Sequence, residues 1–395
     1  MRILHVISRM DPSDGGPPMA LSRLAAAQAE LGAGVTLVAL EPQADQATLH
    51  RAYGDIPGFR RVRQEYVPAG GWLEQVLARS ARARLQSLIA EHAFVHVHGI
   101  WRPHLLQAAR TAAALDRPYA ISPHGMLSTW SLEQKAIKKR LALHWGWRQA
   151  LERAAFIHVL NRDEADAVAR VCAARRLVTV PNGVNLAEVN RQPPWETVRS
   201  RYPQLNPSRY IAFVGRLHHS KGLDLLATAF AVVAAEVPDV RLVVMGPEFG
   251  AGPAFRAQVQ RLGIAHRVDL LGPVYGCDKA AILHHAACFC LPSRQEGFSM
   301  AIVEALAFGL PAVITEACHF PEVAEAQAGY VVPLDGGAIG RALIGLLRDE
   351  TRRVRCADAA RRLSHGRYQW GQIANEFLST YAAPGTASTR SSVAA

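Results

Sequence analysis

Glu296 and Glu304 bracket the run EGFSMAIVE, which follows an apolar strand ending near Leu291 and opens a helix. If the helix begins near Ser299, its first backbone N–H groups lack partners and attract a phosphate. Glu304, one to two turns in, then lies beside that phosphate pocket. A carboxylate accepts hydrogen bonds from vicinal hydroxyls, as in sugar or ribose recognition, and Glu296 ahead of the helix suits a second ring. A helix cap with a surface glutamate is the alternative that spacing alone leaves open.

A second constellation is Val214-Gly215-Arg216-Leu217-His218-His219-Ser220-Lys221-Gly222, directly after another apolar strand. Arg216 offers a planar fork and Lys221 a point charge. Together they suit a diphosphate and the charge that develops when it leaves, unless both are solvated surface cations. The loop is not a P-loop, because GxxxxGK[ST] is absent. His124, in the run SPHGM after a third apolar strand, could donate to a substrate oxygen or help carry developing charge, or it could be structural. Gly15 and Gly16 lie in the first βα loop and permit close backbone approach by a ligand. They do not form GxGxxG, so a nicotinamide or flavin fingerprint is missing.

These residues need strands and helices in alternation to position them. Ile3 to Ile7 reads as a strand, Met19 to Leu31 as a helix and Val35 to Leu40 as the next strand. Helices over Arg79–Ala90 and Pro103–Leu115 and a long one over Leu132–Ala155 follow. Between and after them come strands at Phe94–Val97, Tyr119–Ser122, Phe156–Leu160 and Leu177–Val180. Such alternation predicts a mostly parallel sheet covered on both faces. The four prolines between residues 190 and 208 mark a linker, and a second βα series starts at Tyr210–Val214. Its helices include Leu223–Val237 and Ile302–Phe308, and the last helix runs roughly from Trp370 to Tyr381. The expected division is a first domain over 1–190, a linker over 191–208 and a second domain over 209–367. A helix over 368–382 and a disordered tail over 383–395 complete it. In open α/β sheets ligands sit beyond the carboxyl ends of the strands, so the expected site is a cleft between two such domains.

The chain has 395 residues, above the usual ceiling for one core, and half of them are apolar. That composition excludes wholesale disorder. A formal charge of +11 points to an anionic partner: nucleotide, nucleic acid or acidic membrane. No zinc finger, KH loop or RNP pair accompanies the basic residues, so no specific nucleic acid is expected. Lys135, Lys138, Lys139 and Arg140 precede Trp145 and Trp147. This segment suits an anionic bilayer surface, or a solvated face over buried aromatics. Cys288 and Cys290 read as buried reduced thiols, and no CxxC pair suggests structural zinc. The N-terminus lacks a signal-peptide pattern and no run reaches 18 apolar residues, so a cytoplasmic protein is expected, at most touching the inner membrane from that side.

Taken together, these segments resemble the family-4 glycosyltransferases, a retaining group with the GT-B architecture of two Rossmann-like domains facing across a cleft. The resemblance covers most of the chain. It rests on the E-x7-E motif in EGFSMAIVEALAFGLPAV, on FVGRLHHSKG, on PNGV at Pro181–Val184, on the Gly15-Gly16 loop and on His124 in SPHG. It implies that the second domain binds a nucleotide-sugar donor. Arg216 and Lys221 would grip its diphosphate, and Glu304 would bind the ribose hydroxyls. Glu296 and the backbone of Phe298, Ser299 and Met300 would contact the sugar and phosphate, and the loop at Val274 the base. Gly16 would approach the donor from the first domain, His124 would be the active-site histidine, and the last helix would cross back onto that domain. The implied reaction moves a hexosyl group to a hydroxyl with retention, with no metal or other cofactor. Asn185 after PNGV, Gly246-Pro247 and Ser299 depart from the commoner pattern.

The resemblance also implies a glycan or polyprenyl-linked glycan acceptor, as in bacterial exopolysaccharide synthesis. A soluble sucrose- or glycogen-type synthase, or a non-catalytic nucleotide-sugar-binding protein, are the other readings.

Overall fold

The structure, a computed structural model, describes residues 1–11, 16–39, 53–67, 79–189, 193–205 and 209–383. Gly15, parts of the expected linker and the tail from 384 lie outside these residues. The chain divides into two units: Met1–Asn182 together with Trp370–Ala395, and Gly183–Gln369.

The first unit contains β1 (Arg2–Ile7), β2 (Gly34–Ala39), β3 (Arg63–Tyr66), β4 (Phe94–His98), β5 (Tyr119–Ser122), β6 (Phe156–Val159) and β7 (Leu177–Thr179). They pair in parallel in the order β3-β2-β1-β4-β5-β6-β7. Strand side chains alternate between faces, and both faces are covered here. Leu4, Val6, Val95, Val97, Ile121, Ile157 and Val159 join one core with the helices Arg79–Glu91, Pro103–Ala114 and Arg148–Arg153. Ile3, Phe94, Ala120 and Phe156 join another with Ala20, Leu24 and Ala27 of helix Gly16–Glu30.

The last helix, Trp370–Ala382, belongs to that second face. Trp370, Ile373, Ala374, Phe377 and Tyr381 form its buried stripe, with the spacing of an amphipathic helix. The end of the chain therefore returns to the first unit.

The second unit contains β8 (Tyr210–Val214), β9 (Arg241–Met245), β10 (Val268–Gly272), β11 (Cys288–Leu291), β12 (Ala312–Thr315) and β13 (Gly329–Val332). All pair in parallel in the order β10-β9-β8-β11-β12-β13. Each unit is thus a Rossmann-like α/β layer structure, and the pair of them with the returning helix is the GT-B architecture. Cys288 and Cys290 are fully buried in the second core.

Two expectations change. The long helix over Leu132–Ala155 is broken into Thr129–Glu133, Ala136–Ala142, a π turn at Leu143–Trp147 and Arg148–Arg153. Lys135 (φ 54°) and Gly146 (φ 142°) leave the helical region and cause the breaks. The linker region contains the helix Trp195–Arg201, and its Val198 and the following Leu205 are buried in the second core. Prolines here start a helix, as Pro194 does ahead of Trp195, and the stretch is part of the second unit.

Candidate functional site

The strand orders locate the switch points, where successive connections leave in opposite directions: between β1 and β4 in the first unit, and between β8 and β11 in the second. Ligands favour the carboxyl ends of strands at such points.

In the second unit the loops after β8 and β11 are locked together there. Gly222 has φ 67°, and a Cβ on it would meet the Pro292 carbonyl oxygen at 1.9 Å, so only glycine allows this approach. Arg294 N–H donates to the Ser220 carbonyl (2.7 Å), and its guanidinium grips both Asp224 oxygens at 2.7 and 2.6 Å. That bidentate bond holds the Asp224 carboxyl below its usual range. The result brings Lys221 and Glu296 together although 75 positions separate them. Lys221 Nζ and Ser293 Oγ each donate to Glu296 Oε1 at 2.5 Å. Oε2 of Glu296 has no partner among the described residues and remains available to a hydroxyl.

Arg216 is exposed, with its guanidinium 5.3 Å from the centre of the Phe249 ring, and makes no ion pair among the described residues. It is stacked but electrostatically unspent. Ser299 is the buried residue ahead of helix Met300–Ala307, and its side chain caps no N–H. The first-turn N–H groups are therefore left for an anion. Phe298 packs on Phe320 and Tyr368 at ring distances of 5.6 and 6.4 Å, which anchors the start of that helix.

Glu304 has a partner that sequence reading missed. Lys279 Nζ, from helix Gly276–His284, donates to both its oxygens at 2.9 Å. The signal was its place in the helix that follows the Val274 loop. The Val274 side chain is buried in the core, so it is the backbone there that is left for a ligand.

In the first unit Gly16 opens the helix Gly16–Glu30, and a Cβ there would meet nothing within 4 Å. Its backbone is open to approach, but Pro17 and Pro18 remove two of the first-turn N–H donors. His124 sits past the end of β5 with φ 52°, followed by Gly125 with φ 76°. A non-glycine residue there stores about 1–3 kcal/mol of strain. Glu164 holds this turn: its Oε1 accepts from Gly125 N–H at 2.6 Å and its Oε2 from Leu160 N–H at 2.8 Å. Burial raises the Glu164 pKa, against the pull of these two bonds.

Behind His124 lies a layer that the sequence reading did not single out. His5, His96, His98, Ser122 and His158 occupy alternate strand positions on the face covered by the last helix, and all are buried. The signal was the period-two histidine in RILHVI, FVHVH and FIHV. Burial pushes His5 and His158 down to about 4 and His124 to about 3, with the His92 ring adding to the effect on His5 and the His158 ring to that on His124. All are neutral at neutral pH. Nitrogens of His5, His96 and His98 lie within 4.8 Å of one another, close enough to consider a metal. Both ring nitrogens of each already have hydrogen-bond partners, so the donor set is built as a hydrogen-bond network.

Residues 15–183 match the Glycosyl transferase 4-like domain family, and residues 208–349 match the family Glycosyl transferases group 1. The chain is a family-4 glycosyltransferase. It transfers a sugar from a nucleotide-diphosphate donor. The transferase is 28% identical over 346 residues to the phosphatidyl-myo-inositol mannosyltransferase of Mycobacterium leprae, covering 84% of this chain and 87% of that one. It is 25% identical over 408 residues to the GDP-mannose:cellobiosyl-diphosphopolyprenol alpha-mannosyltransferase of Xanthomonas campestris, covering all of both chains (100% each). It spans about half the length of several further relatives. Among solved structures, the Anabaena Alr3699/HepE complex with UDP shares its fold with a TM-score of 0.76 at 20% identity, covering 97% of this chain and 100% of that one.

Proposed function

We propose that this transferase moves a mannosyl group from GDP-mannose, with retention, to a hydroxyl of a polyprenyl-diphosphate-linked oligosaccharide in bacterial polysaccharide synthesis. The observation that carries this reading is the end-to-end similarity to the Xanthomonas campestris mannosyltransferase, a diphosphopolyprenol enzyme by its name. The similarity to a second mannosyltransferase agrees on the sugar.

The geometry supports the following roles. Arg216 and Lys221 bind the diphosphate, together with the free N–H groups at the start of helix Met300–Ala307. Glu304 takes the ribose hydroxyls and the Val274 backbone an edge of the base. Glu296 orients the sugar through Oε2 while Oε1 is held by Lys221 and Ser293. Gly16 and His124 serve the donor and acceptor from the first unit. Glu296 is committed to two donors and has the role of a positioner rather than a nucleophile. A front-face substitution then fits: the acceptor oxygen bonds to the anomeric carbon as its bond to the phosphate breaks, and the acceptor proton passes to the leaving phosphate. The basic side chains and the helix terminus supply the charge stabilisation, so the reaction needs no metal.

A lipid-linked acceptor calls for a membrane-facing surface. Trp130, Ile137, Leu141 and Trp145 are exposed by 57, 76, 45 and 70%, among exposed Lys135, Lys138 and Arg140. We assign this face of the first unit to peripheral contact with anionic lipid at the cytoplasmic face of the inner membrane. Lys139 does not share in it: its Nζ is turned inward to the Ser131 carbonyl and hydroxyl and lies over the Trp101 ring. Among the described residues no helix is long and apolar enough to cross a membrane.

The test is a thermal-shift panel of GDP-mannose, UDP-glucose and UDP-N-acetylglucosamine. Transfer to a diphosphopolyprenol-linked oligosaccharide in vesicles with and without anionic lipid follows. GDP-mannose is expected to give the largest shift and anionic lipid to raise the rate. Stabilisation by a UDP-sugar alone would overturn the donor, and transfer only to free oligosaccharide would overturn the acceptor.

A further inference from the structure

Five histidines of the first unit, His5, His96, His98, His124 and His158, form two hydrogen-bonded files whose ends decide where each proton sits. In one file His158 Nε2 is 2.7 Å from the Val180 carbonyl, which only accepts, so Nε2 carries the proton. Neutral His158 then accepts at Nδ1 from the Ser122 hydroxyl, 2.7 Å away. Ser122 in turn accepts from His96 Nε2 at 2.7 Å, and His96 Nδ1 accepts from the Tyr381 hydroxyl at 2.6 Å.

The other file is Gln28–His5–His98–His124. Gln28 Oε1 lies 2.7 Å from His5 Nε2, His5 Nδ1 lies 2.9 Å from His98 Nε2, and His98 Nδ1 lies 3.2 Å from His124 Nε2. Its direction depends on which end of the Gln28 amide faces His5, and the first file answers that. The Tyr381 hydroxyl has given its hydrogen to His96, so its oxygen is left to accept. Burial raises the Tyr381 pKa and the Gln28 side chain beside it works against that rise, as a donating NH2 end does. That NH2 end does not complete a hydrogen bond, but it faces Tyr381 and leaves Oε1 for His5. His5 and His98 then each carry the proton on Nε2, and so does His124.

We propose that His98, oriented by His5 and Gln28, is a positioning residue that holds His124 in its Nε2–H form and so leaves Nδ1 of His124 as an acceptor for a substrate hydroxyl. His124 Nδ1 has no partner among the described residues. The His98 ring stacks on His124 at 5.4 Å and 20°, which fixes the ring plane as well as the proton. His124 thus receives a hydrogen bond, where donation to a substrate oxygen was one of the alternatives its sequence left open. This inference rests on His124 being the substrate-facing histidine of the proposed function.

The test begins with the full wild-type chain, labelled with 15N-histidine and free of donor, at neutral pH. Long-range 1H–15N correlation reads the tautomer of each ring, and the His124→Gln spectrum assigns the His124 signals. The expected result is a neutral ring with its proton on Nε2; a proton on Nδ1, or on both nitrogens, overturns the proposal. The second arm compares His98→Asn with His98→Gln. An asparagine Oδ1 falls near the Nδ1 position and still accepts from His124, whereas the amide of glutamine reaches toward His5 instead. His98→Asn is expected to keep kcat within about tenfold of wild type and His98→Gln to lose about a hundredfold, with donor KM unchanged in both. Equal losses, or the reverse order, overturn the proposal. A wild-type chain that transfers no sugar would sink the proposed function, while the tautomer measurement would still decide this inference.

Discussion

The two parallel sheets share a strand order around their switch points, yet they place opposite kinds of polar group near the carboxyl ends of their strands. The second unit uses ion pairs on long side chains: Lys221–Glu296, Lys279–Glu304 and Arg294–Asp224. The first uses short, neutral, buried rings in files of hydrogen bonds, and none of the second sheet's strands carries a histidine. Flexible charged side chains can turn from each other to a diphosphate or a hydroxyl. Buried neutral imidazoles cannot exchange partners cheaply, because an orphaned polar group there costs about 1–3 kcal/mol. One unit is thus built to bind and the other to hold an orientation.

The largest expected effect that separates them is acid. His5, His104, His124 and His158 are held to about 3 or 4 by burial, against about 6.5 in an unfolded chain. Between those values the unfolded chain binds protons that the native first unit excludes. Their contribution to stability is therefore intact above pH 6.5 and is lost as the pH falls toward 4, by up to about 1.4 kcal/mol per pH unit for each ring. Peptide-resolved hydrogen exchange at pH 7 and pH 5, corrected for intrinsic rates, should show β1, β4 and β6 losing protection while β8, β9 and β11 keep it. Equal loss in both sheets would break the comparison.

The two sheets also differed in legibility. Lys221 and Glu296 stood out because they sit in glycine-bearing loops after apolar strands, where charge has no structural reason to gather, and Glu304 because its spacing from Glu296 puts it just inside the helix that follows. Their pairing did not: it arises because β8 and β11 are neighbours at the switch point, a long-range fact with no local trace. The histidine layer failed in the opposite way. FVHVH reads as an apolar strand unless its alternation is taken as a buried polar face, and Gln28 and Tyr381 come from two distant helices. The breaks at Lys135 and Gly146 escaped because helical spacing carries no record of a positive φ.

The next largest effect tests whether the inner ion pair serves the chemistry. Lys221→Ala removes a charge from the proposed diphosphate site and leaves Glu296, whose side chain is only 8% exposed, with Ser293 as its one donor. Loss of one such donor to developing charge typically costs about 10²–10³ in rate. Steady-state transfer should show that fall in kcat, while mass-spectrometric peptide exchange shows the first unit unchanged. A loss under tenfold would mean that the second unit does not carry the charge stabilisation assigned to it.

The smallest effect divides the second unit itself. Lys279 holds both oxygens of Glu304, and the two side chains are 23 and 16% exposed. If Glu304 takes the ribose hydroxyls, Lys279 aims the carboxylate without touching the reacting centre. The ribose is bound alike in ground and transition states, so this contact contributes to KM and not to kcat. Lys279→Met should therefore raise donor KM by about tenfold, near 1.4 kcal/mol, and leave kcat unchanged. The inner pair would then act on the departing diphosphate and the outer pair on binding alone. A fall in kcat like that of Lys221→Ala would instead make the two pairs one unit, with Glu304 closer to the chemistry than ribose binding places it.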